Sequence, residues 1–458
     1  MRRAAALLLA SALGCQEPLD APTDAVSAPD VLADTALAPV TDPLSMPTEP
    51  TLSPSAFKPA EQCASCHADH VAEWRGSHHA YAMIDPVFRA LVAVRQTHEG
   101  GRSDRFCLQC HSAVATRGGE IEPGFRFEDL SPIALEGVTC EACHRVTSVD
   151  RPNNSGHRID VGAPIGGPHA TPVANDFHAS RHDPLFEQSE FCAGCHDVVE
   201  VIGLPLERPY EEWLESPAGA DGRTCQDCHM PASLGRLVTG GPERTRHSHR
   251  FVGVDVPATA TGAAAETLDA AVQALLEGAA DLDVEAHPAA ARAGERLDVV
   301  VTVTSRVEGH SLPTGSAFLR ELWVHAVVLD AEGRVIHETG ALDEQGDLKG
   351  PFSELDPYGD PSLMQFGARL LDATGTPTIF PWRAVEVAST AIPAGHQRTQ
   401  TLHVPVPLDA AGPLTVEATL RFRATPPHVL RALGMPPGVT IRDLVSRSVS
   451  VPVSDVEP

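Results

Sequence analysis

The spacing of apolar residues changes along the chain. Residues 1–15 read MRRAAALLLASALGC, two arginines ahead of a short apolar run from Ala4 to Leu13. Residues 16–55 show no apolar period at all. Between 56 and 255 the pattern is broken into short pieces. The clearest helix there has Asp85 as cap and Pro86 at its first position, with Val87, Phe88, Leu91 and Val92 as its apolar stripe. Leu268, Ala271, Val272, Leu275, Leu276 and Ala279 recur at helical spacing and predict a linking helix within 256–281.

From residue 282 the period drops to two. Leu297, Val299, Val301 and Val303 share one face of a strand. Trp323 to Leu329, a turn at Asp330-Ala-Glu-Gly333, then Arg334 to Glu338 predict a hairpin. Leu414, Val416, Ala418, Leu420 and Phe422 make another strand. Such a series predicts that 282–458 is an all-β antiparallel sandwich, immunoglobulin-like in class. His325, His337 and His403 fall in its strands and read as solvated or half-buried residues. The region has no cysteine, no glycine-rich phosphate loop and no nucleophile elbow. It is expected to cover the preceding region or dock a partner.

The amino terminus sets the compartment. A basic start and a short apolar run make a secretory signal, too short to span a bilayer. Ala12-Leu13-Gly14-Cys15 is similar to a bacterial lipobox, in which the cysteine becomes a lipid anchor. Cleavage after Ala10-Ser11-Ala12 is the alternative and leaves Cys15 a free thiol. Residues 16–55 hold eight prolines, seven acids and no basic, glycine or aromatic residue. They cannot bury enough apolar surface to offset ordering entropy and are expected to form a disordered, self-repelling tether. The expected location is therefore the periplasm, or an outer membrane or cell surface.

Composition narrows the rest. The chain has 458 residues and a net charge of −27. That balance argues against nucleic acid as a partner, because phosphate binding needs a basic face. Aromatics make up only 5%, while there are 22 histidines and 11 cysteines.

Ten of the cysteines fall in five Cys-x-x-Cys-His motifs: Cys63/Cys66/His67, Cys107/Cys110/His111, Cys140/Cys143/His144, Cys192/Cys195/His196 and Cys225/Cys228/His229. This composition alone gives about 0.013 such matches by chance. The spacing suits c-type haem: one turn of chain brings two sulfurs to the two vinyl groups of one porphyrin edge, and the following histidine points at the iron. A zinc site would pair Cys-x-x-Cys units without a histidine after each, a redox dithiol would occur once, and a disulfide framework would not fix both spacing and histidine. Five covalent haems are thus implied for residues 56–255, an α and irregular domain in which porphyrin replaces aromatic side chains in the core. The first cysteines of the second and third motifs are 33 residues apart, as are those of the fourth and fifth, which suggests a duplicated two-haem module.

A second axial histidine makes haem iron six-coordinate and suits electron transfer; an open position suits substrate binding. Ten non-motif histidines lie in this region, His70, His78, His79, His98, His157, His169, His178, His182, His247 and His249. Spacing cannot say which are ligands. Local context favours His79, His169, His178 and His249.

Several segments resemble multihaem c-type cytochromes of the cytochrome c-554 type that carry an associated carboxy-terminal β-domain. They are Trp74-Arg-Gly-Ser-His-His79-Ala, Gly137-Val-Thr-Cys-Glu-Ala-Cys-His144, Cys225-Gln-Asp-Cys-His-Met230-Pro231 with His247-Ser-His249-Arg-Phe251, and Gly309-His310-Ser-Leu-Pro313-Thr-Gly315. The resemblance implies that His79 is a distal ligand and that His310 reaches back to a haem; a structured loop residue is the alternative for His310.

Two functions follow. The first is an exported carrier that passes electrons through five haems to redox partner proteins, in a respiratory or extracellular chain. The second is an oxidoreductase with one open haem, acting on a small nitrogen or sulfur compound. The pentahaem nitrite reductases carry a lysine in place of one motif histidine, and no Cys-x-x-Cys-Lys occurs here.

Overall fold

The computed structural model describes residues 51–454 apart from Val173 and Val439. The expected leader, Cys15 and the tether as far as residue 50 lie outside the described residues. The last tether residues are not free chain. The N–H groups of Thr51 and Leu52 both donate to the carbonyl of Arg117 at 2.9 Å, Pro54–Ala56 forms a 3-10 turn, and Leu52 packs against an apolar cluster. Order therefore begins before residue 56, because these apolar positions find a surface to bury.

The amino-terminal region consists of short helices and two-stranded hairpins. Its longest helix is Pro86–Glu99. The Asp85 carboxylate accepts the Val87 N–H at 2.9 Å, and Gly100 ends the helix in the left-handed conformation, φ 61°. Phe88 and Val92 are buried on the inner side. Val87 and Leu91 pack instead on Ile379, Val429 and Leu433, so this helix joins the two halves of the molecule.

The linking helix is Gly262–Glu277; its Val272 and Leu276 enter the core of the β region. The strand that follows, Ala280–His287, starts two residues before the expected boundary, and only Gly278 and Ala279 separate it from the helix.

The β region is antiparallel in its two principal sheets. Arg296–Ser305 is central to one, between Gln397–Pro405 and Ala280–His287. Leu414–Arg423 lies between Glu321–Leu329 and Ile441–Val451 in the other, with Val335–Thr339 hairpinned onto Glu321–Leu329. Leu297, Val299, Val301 and Val303 face the core, as their alternation requires, and share one apolar cluster with Leu322, Val324, Val416 and Leu420 of the second sheet. A small third sheet of Ala368–Asp372, Pro377–Thr378 and Ala384–Ser389 was not legible in the apolar pattern; its Leu370 and Ala384 cluster with Leu206 of the amino-terminal region. His325 and His403 pair with Glu338 and Asp298 at the surface, and His337 is half-buried. Among the described residues no helix is long and apolar enough to cross a membrane.

Candidate functional site

Every motif sits on a helical turn. Cys63 lies in Ala60–Ala64, and the N–H of His67 closes back on the Cys63 carbonyl at 2.8 Å. The others lie in Asp104–His111, Cys140–His144, Ser189–His196 and Cys225–His229. Cysteines three apart on a turn face the same way. Thr224 starts the last helix with a capping box to Asp227.

All ten motif cysteines and all five motif histidines line one continuous cavity of about 2490 Å³. An ordinary small-ligand pocket is roughly 300–1,000 Å³, so this space suits several large groups. Among the described residues the ten motif cysteines carry no disulfide bond. Among the described residues no cluster of three or more His, Cys, Asp or Glu is placed to hold a metal ion by itself.

Four motif histidines have a non-motif ring across from them, and His70 stands edge-on beside two of these rings, 6.1 Å from His67 and 5.0 Å from His249. His67 faces His178 with ring centres 6.3 Å apart and 27° between planes. His144 faces His249 at 6.2 Å and 19°, His229 faces His310 at 6.2 Å and 17°, and His196 faces His79 at 6.2 Å and 52°. Two imidazole–metal bonds of about 2.0–2.1 Å, with each ring centre about an ångström behind its nitrogen, put ring centres roughly 6 Å apart. Four motif rings therefore stand across from a second ring at the separation a shared metal ion requires.

Hydrogen bonds orient these rings. The Nδ1–H groups of His67, His111 and His144 donate to the carbonyls of Leu237, Ala82 and Gly166 at 2.7, 3.2 and 2.8 Å. Those of His249 and His310 donate to His247 and Ser311 at 3.0 and 2.9 Å. In a neutral ring each such bond places the proton on Nδ1, so Nε2 is the nitrogen left for a metal. Burial pushes His79 and His249 down to about 3 and His229 to about 4, so these imidazoles are neutral, the form a metal takes. His157 and His78 are different. Their Nε2 atoms are engaged by the Phe191 carbonyl at 2.7 Å and the Asp255 carboxylate at 2.8 Å.

Of the histidines singled out in the sequence, His79, His178, His249 and His310 each face a motif ring. His169 lines the cavity but pairs with no motif ring; its neighbours include Arg244 and His247. His111 is the exception among motif histidines. Its ring stacks on Phe88 at 3.7 Å and 2°, and among the described residues no second histidine ring pairs with it.

Sulfur contacts give the arrangement of motifs in space. Cys63 meets Cys140, Cys192 meets Cys225, and Cys110 meets Cys195. A repeat is visible, but it couples the first motif with the third and the fourth with the fifth. Trp74 donates its indole N–H to the carbonyl of Val138, two residues before Cys140, and Trp213 donates to Arg223, two residues before Cys225, both at 2.8 Å. Ser77 and Ser216 close the turns after these tryptophans in the same way. The equal 33-residue spacing pairs the second motif with the third in sequence, whereas the second motif's Cys110 contacts the fourth.

Sequence reasoning missed Phe88 as the partner of His111, and missed Glu207 and Glu212. Glu212 accepts the Ser311 N–H at 3.0 Å and the Thr314 hydroxyl at 2.6 Å; Glu207 accepts the Ser316 hydroxyl. No motif marks them, since their partners are about 100 residues away.

Residues 62–145 match the family model described as cytochrome c554 and c-prime. A penta-heme cytochrome c552 from Thermochromatium tepidum has the same fold: TM-score 0.63 and 20% identity over 86% of this chain and 99% of that one. The C-terminal domain of wzt (TM-score 0.19, 11% identity, 39% of this chain and 76% of that one) and Spo0M from Bacillus subtilis (TM-score 0.16, 12% identity, 39% and 51%) are too dissimilar to carry an argument. No curated protein matches the chain.

Proposed function

We propose that this chain, a multihaem c-type cytochrome, is exported and relays electrons through five covalently attached haems. One observation carries the reading: ten cysteines and five motif histidines converge on one cavity, where four of the five motif rings face a second imidazole at 6.2–6.3 Å. Haem iron, when bound, alternates between ferric and ferrous and so carries one electron per site.

The residues then divide the work. Cys63, Cys66, Cys107, Cys110, Cys140, Cys143, Cys192, Cys195, Cys225 and Cys228 attach the haems through thioethers. His67, His111, His144, His196 and His229 are proximal ligands. His178, His249, His79 and His310 are distal to His67, His144, His196 and His229 respectively, and six-coordinate iron changes little on reduction, which suits electron transfer. The sulfur contacts support two groups of attachment sites, Cys63/Cys66 beside Cys140/Cys143, and Cys192/Cys195 between Cys225/Cys228 and Cys107/Cys110. His169 takes no ligand role in this reading.

Haem c is attached outside the bacterial cytoplasm, which agrees with a leader at 1–15, a lipid anchor at Cys15 and redox partner proteins in a respiratory or extracellular chain. The two antiparallel sheets around one core support an immunoglobulin-like sandwich as the covering domain. The test is expression in a host with haem-attachment machinery, denaturation, and measurement of retained pigment and iron. Five irons per chain, surviving denaturation, are expected. A colourless polypeptide sinks the reading.

The stack of His111 on Phe88 favours a second reading, in which the iron held by His111 is open on its far side and the chain is an oxidoreductase for a small nitrogen or sulfur compound. Electron paramagnetic resonance of the oxidised protein decides. Wholly low-spin iron leaves the carrier alone; one high-spin haem favours the enzyme.

A further inference from the structure

His310 belongs to the β region, yet it faces His229 of the fifth motif. The strap that carries it, residues 309–316, runs between the strands Arg296–Ser305 and Glu321–Leu329. On one side it is part of the β core. Leu312 is buried in that core and exchanges backbone hydrogen bonds with Ile392 at 2.8 and 2.9 Å. On the other side it is held by the amino-terminal region at points that bracket His310. Before it, the carbonyl of Glu308 accepts the Ala218 N–H at 3.0 Å, and the Glu308 carboxylate pairs with Arg223 at 2.6 Å. After it, one carboxylate oxygen of Glu212 accepts both the Ser311 N–H and the Thr314 hydroxyl. Glu207 holds Ser316 beyond that.

A carboxylate that accepts two hydrogen bonds is a stronger and more directional clamp than a neutral group. Glu212 lies in Pro209–Leu214, the helix that also presents Trp213 to the turn before Cys225. One short element thus touches both sides of the fifth motif's site: the turn that leads to Cys225 and His229, and the strap that carries His310. His310 cannot set its own position. Among the described residues its Nδ1–H bonds the carbonyl of the next residue, Ser311, so ring orientation follows strap position.

We propose that Glu212 is a positioning residue: it clamps the 309–316 strap so that His310 stays in register with His229, and makes ligation at the fifth motif depend on contact between the two regions. This rests on the reading of His310 as distal ligand to the iron of that motif. Among the described residues the Glu212 carboxylate bonds Ser311 and Thr314 of the strap and makes no hydrogen bond to His310 or His229. It acts by limiting where the strap can go, the way supporting hydrogen bonds orient first ligands in metal sites.

The experiment uses the full haem-loaded chain and three variants, Glu212→Ala, Glu212→Gln and His310→Ala, read by electron paramagnetic resonance and by redox titration of the visible spectrum. His310→Ala is expected to convert one haem to high-spin. Glu212→Ala is expected to convert a fraction of that same haem, to shift its midpoint, and to return to low-spin on addition of free imidazole. Glu212→Gln, which keeps one acceptor, is expected to fall between wild type and Glu212→Ala. A general packing defect would not be confined to the one haem that His310→Ala converts. If Glu212→Ala fails to load haem, Thr314→Val removes the same hydrogen bond from the strap side and takes its place. If Glu212→Ala and Thr314→Val stay wholly low-spin with unshifted midpoints while His310→Ala does not, the clamp is overturned and the ligand reading stands. If His310→Ala itself leaves every iron low-spin, the ligand reading falls and the clamp with it.

Discussion

Gly137 passes so close to His79 that a β-carbon on it would lie 2.5 Å from the His79 carbonyl oxygen. The next residue, Val138, donates its N–H to the same oxygen at 3.0 Å. Gly137 also has φ +71°, a conformation that L side chains adopt at a cost. The turn before the third motif is therefore pressed against the backbone of the histidine that faces His196. Gly137→Ala is expected to destabilise the protein by more than about 1 kcal/mol and to push His79 away from His196. The readout is a new high-spin ferric signal, which His79→Ala is expected to give as well. A stable, wholly low-spin Gly137→Ala protein would show that the close approach does not matter.

His111 leans on Phe88 where the other motif histidines face an imidazole. If the iron there has an open side, the reduced protein binds carbon monoxide at one site per chain, with a Soret change from one haem only. Absence of any carbon monoxide complex would show that the iron held by His111 has no open side, and more than one per chain would contradict the pairing described for the remaining four histidines.

In the β region Arg423 and Glu321 are nearly inaccessible and joined through the Arg423 Nε at 2.7 Å, and the guanidinium lies over the Trp323 ring. Removing Arg423 leaves the buried Glu321 carboxylate without its nearest cationic partner, with His428 3.9 Å away. Arg423→Met is expected to cost about 3–5 kcal/mol, and adding Glu321→Leu to it should restore much of that loss. Denaturant unfolding followed by far-ultraviolet circular dichroism measures both. Equal stability of wild type and Arg423→Met would refute the argument.

Asp347 is buried beside His428 and Arg431. Burial alone would raise its carboxyl, but hydrogen bonds from His428 and Arg431 outweigh that and hold it below the usual carboxylate range. A carboxylate depressed in the folded state binds fewer protons there than in the unfolded chain. Its contribution is therefore full above the unfolded value of about 3.9 and is lost as pH falls through the lower folded value. Asp347→Asn should be less stable than wild type at neutral pH, and the gap should close below about pH 4. A gap that persists unchanged to strongly acid pH would assign it to packing.

How far the sequence reaches depends on the range of the interaction. Cys-x-x-Cys-His is a local demand, since one turn of chain must meet one porphyrin edge, so all five motifs are legible without a fold. Alternation in Leu297, Val299, Val301 and Val303 is also local, because a strand buried on one face repeats every second residue. The cap at Asp85 and the linking helix are legible for the same reason.

The ring pairs are not local. His79 meets His196 and His229 meets His310 across long stretches of chain. Nothing in composition distinguishes His178, which faces His67, from His169, which faces no motif ring, though nine positions separate them. The sulfur contacts, the stack of Phe88 on His111 and the grip of Glu212 on the strap belong to the same class. The chain by itself determined which residues can bond to a porphyrin and where strands begin; only the tertiary structure decided which histidine stands across from which, because that choice is made by packing between segments whose separation in sequence carries no signal.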